Sequence, residues 1–266
     1  MGGRGATSSM GGGGGIGAGA FGISGGNAQT DPTVQVDDTQ VASAFSADYD
    51  AFMAMTDDQK ADFISQNISQ GVPAHLAQND FQRFIYNSGL NEKPDVVSDA
   101  TLDSMKGTEI FRTVNNVYDR QNDISYNADQ IAKQVMAGKV TRVSDNGGSV
   151  YGRGIYFADS YGDSASYGST TGNVKKTAVV RAKLNNNAKV INYNQARNGA
   201  TREMASGSKL GKTLRKCDTA SQASIYAMAK GYNVISSGHG YMNVLNRNAI
   251  TMSDTVKPSK GYGGSW

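Results

Sequence analysis

The spacing of apolar residues changes along the chain, and the change falls near Gly107. Before it, apolar residues recur at helical spacing, as in MTDDQKADFISQNIS over residues 55–69. Thr56 and Gln59 stand three residues apart at the start of that segment, which is typical of a capping box. The pattern predicts a helix here that ends near Gly71.

Two more helices are predicted in the same region. Residues 73–89, PAHLAQNDFQRFIYNSG, place Phe81 and Phe84 on one face and offer Gly89 as a C-cap. An earlier helix is expected over residues 41–55. We predict a helical N-terminal lobe over residues 34–106, with an outer layer of the main domain as the alternative.

After Gly107 the pattern indicates short strands separated by turn-rich segments and isolated helices. The predicted helices cover residues 127–138 and 219–231. The apolar runs are EIFRTV (109–114), GIYFA (154–158), TAVVRAKL (177–184), KVINY (189–193), YNVISS (232–237) and YMNVLNRNAITM (241–252). This order favours an α+β domain, which we place at residues 107–256.

Both ends of the chain have the composition of flexible tails, and we predict such tails at residues 1–33 and 257–266. The first 26 residues contain 13 glycines, so ordering them would cost much backbone entropy. Gly17, Gly19 and Gly22 match a dinucleotide-binding spacing, but no strand precedes them and no amphipathic helix follows directly. We therefore interpret them as part of the tail.

Charge and composition exclude several classes of function. The net charge of +3 comes without a concentrated Lys/Arg block, so nothing indicates an obligatory nucleic-acid or lipid partner. The single cysteine, Cys217, precludes an internal disulfide, and His75 and His239 lie too far apart to suggest a zinc site. We expect no membrane span and no secretory signal, hence a cytosolic or particle-associated protein.

Candidate chemistry is concentrated in YGRGIYFADSYGDSASYG, residues 151–168. Tyr156 follows Ile155 on a short strand, whereas Ser164 and Tyr167 come after a glycine-containing turn. Two facing rings with a nearby hydroxyl suit a flat heteroaromatic ligand. The alternative is an aromatic core pair with a capping serine, and composition alone favours it.

The stretch resembles the nicotinamide-pocket motif of ADP-ribosyltransferases, especially the poly(ADP-ribose) polymerase-like branch. That pattern is Gly-x-Gly-Ile-Tyr-Phe-Ala followed by Ser-Ala-x-Tyr, and every fixed element is present. The resemblance implies that Tyr156 and Tyr167 sandwich the nicotinamide ring of NAD, while Ser164 bonds its carboxamide. The NAD-binding residues it implies are Arg112, Thr113, Gly152, Gly154, Tyr156, Phe157, Ala158, Ser164 and Tyr167.

The family opens with a strand that carries His or Arg, and EIFRTV supplies Arg112. By resemblance to the toxin-like branch, Arg112 holds the phosphates or ribose of NAD. Thr113 then supplies backbone groups that read the carboxamide. The polymerase-like branch has His-Gly at this point, so the pair Arg112-Thr113 is a hybrid feature.

The family's late strand presents a glutamate that bonds the ribose and stabilises the transition state. Alignment with residues 241–252 puts Met242 or Asn243 at that position, where no carboxylate is available. The resemblance thus makes Arg112, Tyr156 and Asn243 the catalytic candidates. The missing glutamate disfavours formation of an ADP-ribose polymer.

The fold implied by the resemblance is the ADP-ribosyltransferase fold, two small packed β-sheets around an NAD cleft. The implied activity is NAD-dependent mono-ADP-ribosylation: cleavage of the nicotinamide–ribose bond and transfer of ADP-ribose to a macromolecule. NAD is the substrate and no metal is implied. The alternative is a catalytically degenerate NAD-binding or structural phage module on the same fold.

The glycine-rich opening and residues 241–252 resemble ADP-ribosyltransferase-like proteins of bacteriophages. That analogy implies a host protein as acceptor, with a nucleic-acid acceptor as an alternative and no membrane partner. It also implies action in the host cytoplasm, by a protein either made there or carried in the phage particle.

One competing motif is SGSKLGKT, residues 206–213, which nearly matches a phosphate-binding P-loop. Ser206 stands where the first glycine belongs, and the preceding residues form a poor strand. We interpret the basic residues here as a solvated face or a target-docking surface.

Overall fold

The computed structural model describes residues 49–72, 79–90, 93–119, 124–138, 150–169, 177–260 and 264–266, with the backbone alone at residues 117–119, 124 and 167–169. The predicted N-terminal tail, the first part of the helix expected over residues 41–55 and residues 73–78 lie outside the described residues.

Three helices open the described chain: α1 (Tyr49–Ala54), α2 (Asp57–Ser69) and α3 (Asp80–Ser88). The predicted capping box of α2 is confirmed, since the Thr56 side chain accepts from the Gln59 N–H and the Gln59 side chain accepts from the Thr56 N–H. Gly89 ends α3 in the left-handed conformation at φ 65°, as predicted.

The remaining elements follow in two groups. The first comprises β1 (Asp95–Val97), α4 (Asp99–Ser104), β2 (Glu109–Asn115), β3 (Val117–Asp119), β4 (Ile124–Tyr126), α5 (Ala128–Met136), β5 (Ile155–Ala158) and α6 (Tyr161–Ser169). The second comprises β6 (Thr177–Leu184), β7 (Val190–Asn192), α7 (Tyr193–Ser206), α8 (Lys209–Leu214), α9 (Thr219–Ala229), β8 (Val234–Ser236), β9 (Tyr241–Val244), a 3-10 turn (Arg247–Ala249) and β10 (Ile250–Pro258).

The pattern analysis did not predict α4, α7, α8, β1, β3 or β4. Helix α7 begins at a capping box formed by Asn192 and Gln195 and ends at Gly207, which has φ 73°. These polar caps are strong local signals, but they surround a segment with few apolar residues. A search based on apolar spacing therefore missed the helix.

The sheet has eight strands in the order β1-β10-β6-β2-β5-β9-β8-β7, and β3 pairs with β4 separately. The β1–β10 and β7–β8 pairs are parallel, and the other pairs are antiparallel. The chain is thus a mixed sheet with helices, compatible with the predicted α+β class. It differs from the expected two small packed sheets in having one large sheet.

The large sheet has a narrow junction at its centre. Strand β2 pairs with β6 along its whole length, from Glu109 to Asn115, but with β5 only at Phe111 and Ala158. Two four-stranded halves therefore meet through a single residue pair, and β2 and β5 separate beyond it.

One face of the sheet carries a continuous apolar core that includes α5. Its strand residues include Ile110, Val114, Ile155, Phe157, Val180, Val234, Val244 and Met252. The opposite face carries two separate clusters. The larger joins α1–α3 with α7–α9, β7 and β8, whereas the smaller consists of Phe111, Tyr161, Ala165, Val179 and Trp266.

Helices α1–α3 lie in the predicted helical lobe, but they share their hydrophobic core with helices from the second half of the chain. The structure also bears on the predicted C-terminal tail. Strand β10 runs to Pro258, and the Trp266 ring packs against Phe111 with centroids 6.1 Å apart. Within the described part of residues 257–266, Trp266 is thus packed against the small apolar cluster.

Candidate functional site

A row of side chains crosses the sheet on the face opposite to the α5 core. Its residues are Cα partners in the registers of β6–β2, β5–β9, β9–β8 and β8–β7. At the junction of β2 and β5, Thr113 and Tyr156 each lie two residues from the paired Phe111 and Ala158, so they stand opposite each other. In strand order the row is Val179, Thr113, Tyr156, Asn243, Ile235 and Ile191. Its ends belong to the two apolar clusters, whereas its middle offers a hydroxyl, a phenol and an amide.

Ser164 joins this polar middle from helix α6. The Ser160 hydroxyl accepts from the Asp163 N–H at 3.0 Å, which fixes the start of the helix. Ser164 is buried, and its Oγ lies 3.0 Å from Thr113 Oγ1. A hydroxyl pair of this kind can donate to one ligand atom and accept from another.

Tyr156 is held at the far end of its ring. Its hydroxyl accepts from the Tyr151 N–H at 2.9 Å and donates to the Gly152 carbonyl at 2.7 Å. Burial raises the pKa of the Tyr156 phenol far above its ordinary value of 10.0, although the Tyr151 N–H opposes this effect. The ring is therefore a neutral, oriented surface.

The loop before β5, residues 151–154, is also held by two buried side chains from later elements. Asn243 Nδ2 donates to the carbonyls of Tyr151 and Arg153, both at 3.1 Å. Ser224 Oγ, on α9, accepts from the Arg153 N–H at 2.7 Å and donates to the Arg153 carbonyl at 2.5 Å. Sequence reasoning missed Ser224, because no local signal connects it with a loop about seventy residues earlier.

Gly152 and Gly154 are packed closely against protein side chains, which leave no room for a Cβ atom at either position. Gly152 has φ 85°, and a Cβ there would lie 2.7 Å from Ser224 Oγ. Gly154 has φ 151°, and a Cβ there would overlap with the Asn243 side chain. The resemblance names both glycines as NAD-binding residues; what the structure places against them is Ser224 and Asn243.

The Arg112 side chain contacts the backbone carbonyl of Tyr156. Its neighbours Ile110 and Val114 lie in the α5 core, so strand alternation puts Arg112 on that face and the Tyr156 ring on the other. Arg112 Nη1 donates to the Tyr156 carbonyl at 2.8 Å, across the gap where β2 and β5 separate. The guanidinium thus braces the backbone of the residue that carries the ring.

The two residues aligned with the family glutamate face opposite sides. Met242 packs against the α5 core, whereas Asn243 lies opposite Tyr156 in the β5–β9 register and is 1% exposed. The Asn243 amide therefore supports the loop.

The other predicted binding residues, Phe157, Ala158 and Tyr167, lie in three different parts of the structure. Phe157 is buried in the α5 core, and Ala158 forms the junction pair with Phe111. Tyr167 lies in α6, three residues after Ser164, and its side chain lies outside the described residues.

Other candidates in the described part of the chain lack the features of a functional site. Burial raises the pKa of the Cys217 thiol to about 12, which disfavours the thiolate that a nucleophile needs. In the P-loop-like segment, α7 ends at Ser206 and Ser208 caps α8, so no strand runs into it. Within the described ranges, no three His, Cys, Asp or Glu side chains are grouped to hold a metal ion. Among the described helices, none has the length and apolar character needed to cross a bilayer.

Comparison of the chain with protein-family models, with curated proteins and with solved structures finds no match in any of the three. The features of the chain that bear on its function are the motif and the geometry of the row that contains Tyr156.

Proposed function

We propose that the chain is an NAD-dependent mono-ADP-ribosyltransferase that modifies a host protein in the cytoplasm of a phage-infected cell. The observation that supports this most is the Thr113–Ser164 hydroxyl pair, on the same face as Tyr156 and between two apolar clusters. The resemblance of residues 151–168 to a nicotinamide-pocket motif agrees with it.

In this proposal the nicotinamide ring stacks on Tyr156, and the hydroxyl pair reads the carboxamide. A primary carboxamide has one carbonyl acceptor and an NH₂ donor, so it needs one hydroxyl that donates and one that accepts. Thr113 and Ser164 offer both functions within a 3.0 Å pair. Since Ser164 is buried, a ligand that displaces the Thr113–Ser164 hydrogen bond without replacing it binds poorly.

The proposed reaction breaks the bond between ribose C1′ and the nicotinamide nitrogen, and the bonding electrons leave with neutral nicotinamide. A nucleophilic atom of the acceptor forms the new bond to C1′ and loses its proton to solvent. Residues 241–252 place no carboxylate at the position aligned with the family glutamate. Rate enhancement then depends on orientation of NAD, to which Arg112 and Asn243 contribute by holding Tyr156 and the preceding loop.

A second function, NAD binding without transfer, is favoured by one observation. Both hydrogen bonds recorded for the Asn243 amide go to loop carbonyls, at a strand position where the family carries its acid. A chain without that acid binds nicotinamide but does not stabilise the charge that develops on the ribose.

Incubation with NAD labelled in its adenylate part and with bacterial lysate tests the proposal. We expect label on lysate protein, lost with Tyr156→Ala and strongly reduced with Arg112→Ala. Arg197→Ala removes an exposed arginine on α7 and serves as the matched control. Label unaffected by either site substitution would rule out this site.

The same assay separates the other outcomes. Binding of NAD with no label on any acceptor supports the binding module, and free ADP-ribose without labelled protein indicates hydrolysis. Label on nucleic acid would change the acceptor class but leave the proposed site in place.

A further inference from the structure

The loop over residues 151–154 is tied by side chains from three separate elements. Tyr156 comes from β5 itself, Asn243 from β9 and Ser224 from α9. Together they bond the N–H and carbonyl of Tyr151, the carbonyl of Gly152, and the N–H and carbonyl of Arg153. A loop with so many backbone groups satisfied by side chains has one preferred conformation.

The two side chains from later elements are almost inaccessible to water. Ser224 is 0% exposed and Asn243 is 1% exposed. Water therefore does not replace their hydrogen bonds when either is truncated. Loss of the Ser224 hydroxyl leaves the Arg153 N–H without this partner, and loss of the Asn243 amide does the same to the Tyr151 carbonyl. The contacts of Ser224 with Arg153 measure 2.7 and 2.5 Å, and the second is the shortest in the set.

The loop in turn holds the Tyr156 ring, because the phenol oxygen bonds only to Tyr151 and Gly152 among the contacts recorded for it. A displaced loop moves both partners of that hydroxyl at once. Ser224 and Asn243 therefore fix the loop, and the loop fixes the orientation of the Tyr156 ring.

We propose that Ser224 and Asn243 are positioning residues, which fix the loop over residues 151–154 and thereby the plane on which the ligand ring stacks. The inference rests on the proposed NAD site. It adds residues that the nicotinamide motif does not contain, and it gives Asn243 a role other than contact with ribose.

The first test needs no ligand. Amide hydrogen exchange in the wild type is expected to be slow at Tyr151 and Arg153. Ser224→Ala should speed exchange at Arg153, and Tyr156→Phe should speed exchange at Tyr151. The control is Ser253→Ala, a serine equally buried in β10 whose hydroxyl bonds Asp99. Exchange at Arg153 that is unchanged in Ser224→Ala would overturn the inference.

The second test is a double-mutant cycle on kcat/KM for NAD. Ser224→Ala and Tyr156→Phe are each expected to lower it about tenfold, as loss of a buried hydrogen bond does. The double variant should lose no more than the worse single variant, because both changes free the same ring. Full additivity, or a Ser224→Ala protein that is less stable but has normal kcat/KM, would refute the positioning role.

Further variants separate the possible failures. If Ser224→Ala does not fold, Ser224→Cys leaves no cavity and replaces the hydroxyl with a weak donor. Asn243→Asp is isosteric but turns an oxygen towards two carbonyls, so it should also speed loop exchange. If the wild type neither binds nor consumes NAD, the proposed function fails, while the exchange data still decide whether these residues fix the loop.

Discussion

The hydroxyl oxygens of Thr113 and Ser164 lie 3.0 Å apart, although β2 and α6 place the residues 51 positions apart in the chain. If this pair reads a carboxamide, Thr113→Val and Ser164→Ala should each raise the KM for NAD about tenfold, with a smaller change in kcat. Steady-state kinetics, together with inhibition by nicotinamide and by nicotinic acid, measures the effect.

Ser166→Ala is the matched control for that series, because Ser166 lies on the same helix and donates to the Asp163 carbonyl. Wild type should prefer nicotinamide to nicotinic acid as inhibitor, and Thr113→Val should lose part of this preference. Equal KM values in all four proteins would contradict the assignment.

Gly154 and Gly162 offer a paired test of the loop. Gly154→Ala should lower the free energy of unfolding by about 2 kcal/mol, because φ is 151° and the new methyl overlaps with Asn243. Gly162→Ala, in α6 with nothing within 4 Å of its Cβ position, should raise it by about 0.5 kcal/mol. Urea unfolding followed by fluorescence of the single tryptophan gives both values. A stable Gly154→Ala protein would contradict the loop geometry.

The raised pKa of Tyr156 predicts a loss of stability in alkali. Below about pH 10 the phenol is neutral in both states; above it, the unfolded chain ionises while the buried ring does not. The free energy of unfolding should therefore fall by about 1.4 kcal/mol per pH unit more in wild type than in Tyr156→Phe. Urea unfolding between pH 8 and pH 11 measures the slopes, and parallel curves would show that the phenol is accessible.

The lowered pKa of Asp218 predicts a loss of stability in acid. Burial alone would raise its pKa, but hydrogen bonds from the Ser221 side chain and from the Asp80 backbone lower it below 3.8. Its contribution is present above pH 4 and is lost as the pH falls further. Asp218→Asn should cost about 1 kcal/mol at pH 7, since the hydrogen bonds from Ser221 and Asp80 then go to a neutral amide instead of a carboxylate, and it should flatten the fall below pH 4. Asp129→Asn, at an exposed position in α5, is the matched control, and urea unfolding between pH 2 and pH 7 measures the profiles.

Much of the local structure could be predicted from the chain alone. Thr56 with Gln59, Asn127 with Gln130, and Gly89 are caps whose geometry depends on residues three or four positions away. The apolar runs that became β5 and β6 were also recognisable, because strands buried on both faces are nearly continuous in apolar residues. Helices α7 and α8 were missed, because they bury few apolar residues and begin at polar caps.

The sequence by itself determined which residue types stand around β5: two glycines, a strand tyrosine and a serine eight positions later. Only the tertiary structure decided their neighbours. It put Thr113 beside Ser164, turned Arg112 to the opposite face from the Tyr156 ring, and brought Ser224 and Asn243 under the loop. The physical reason is that hydrogen bonds between distant segments depend on strand register and helix packing, which arise from burial over the whole domain.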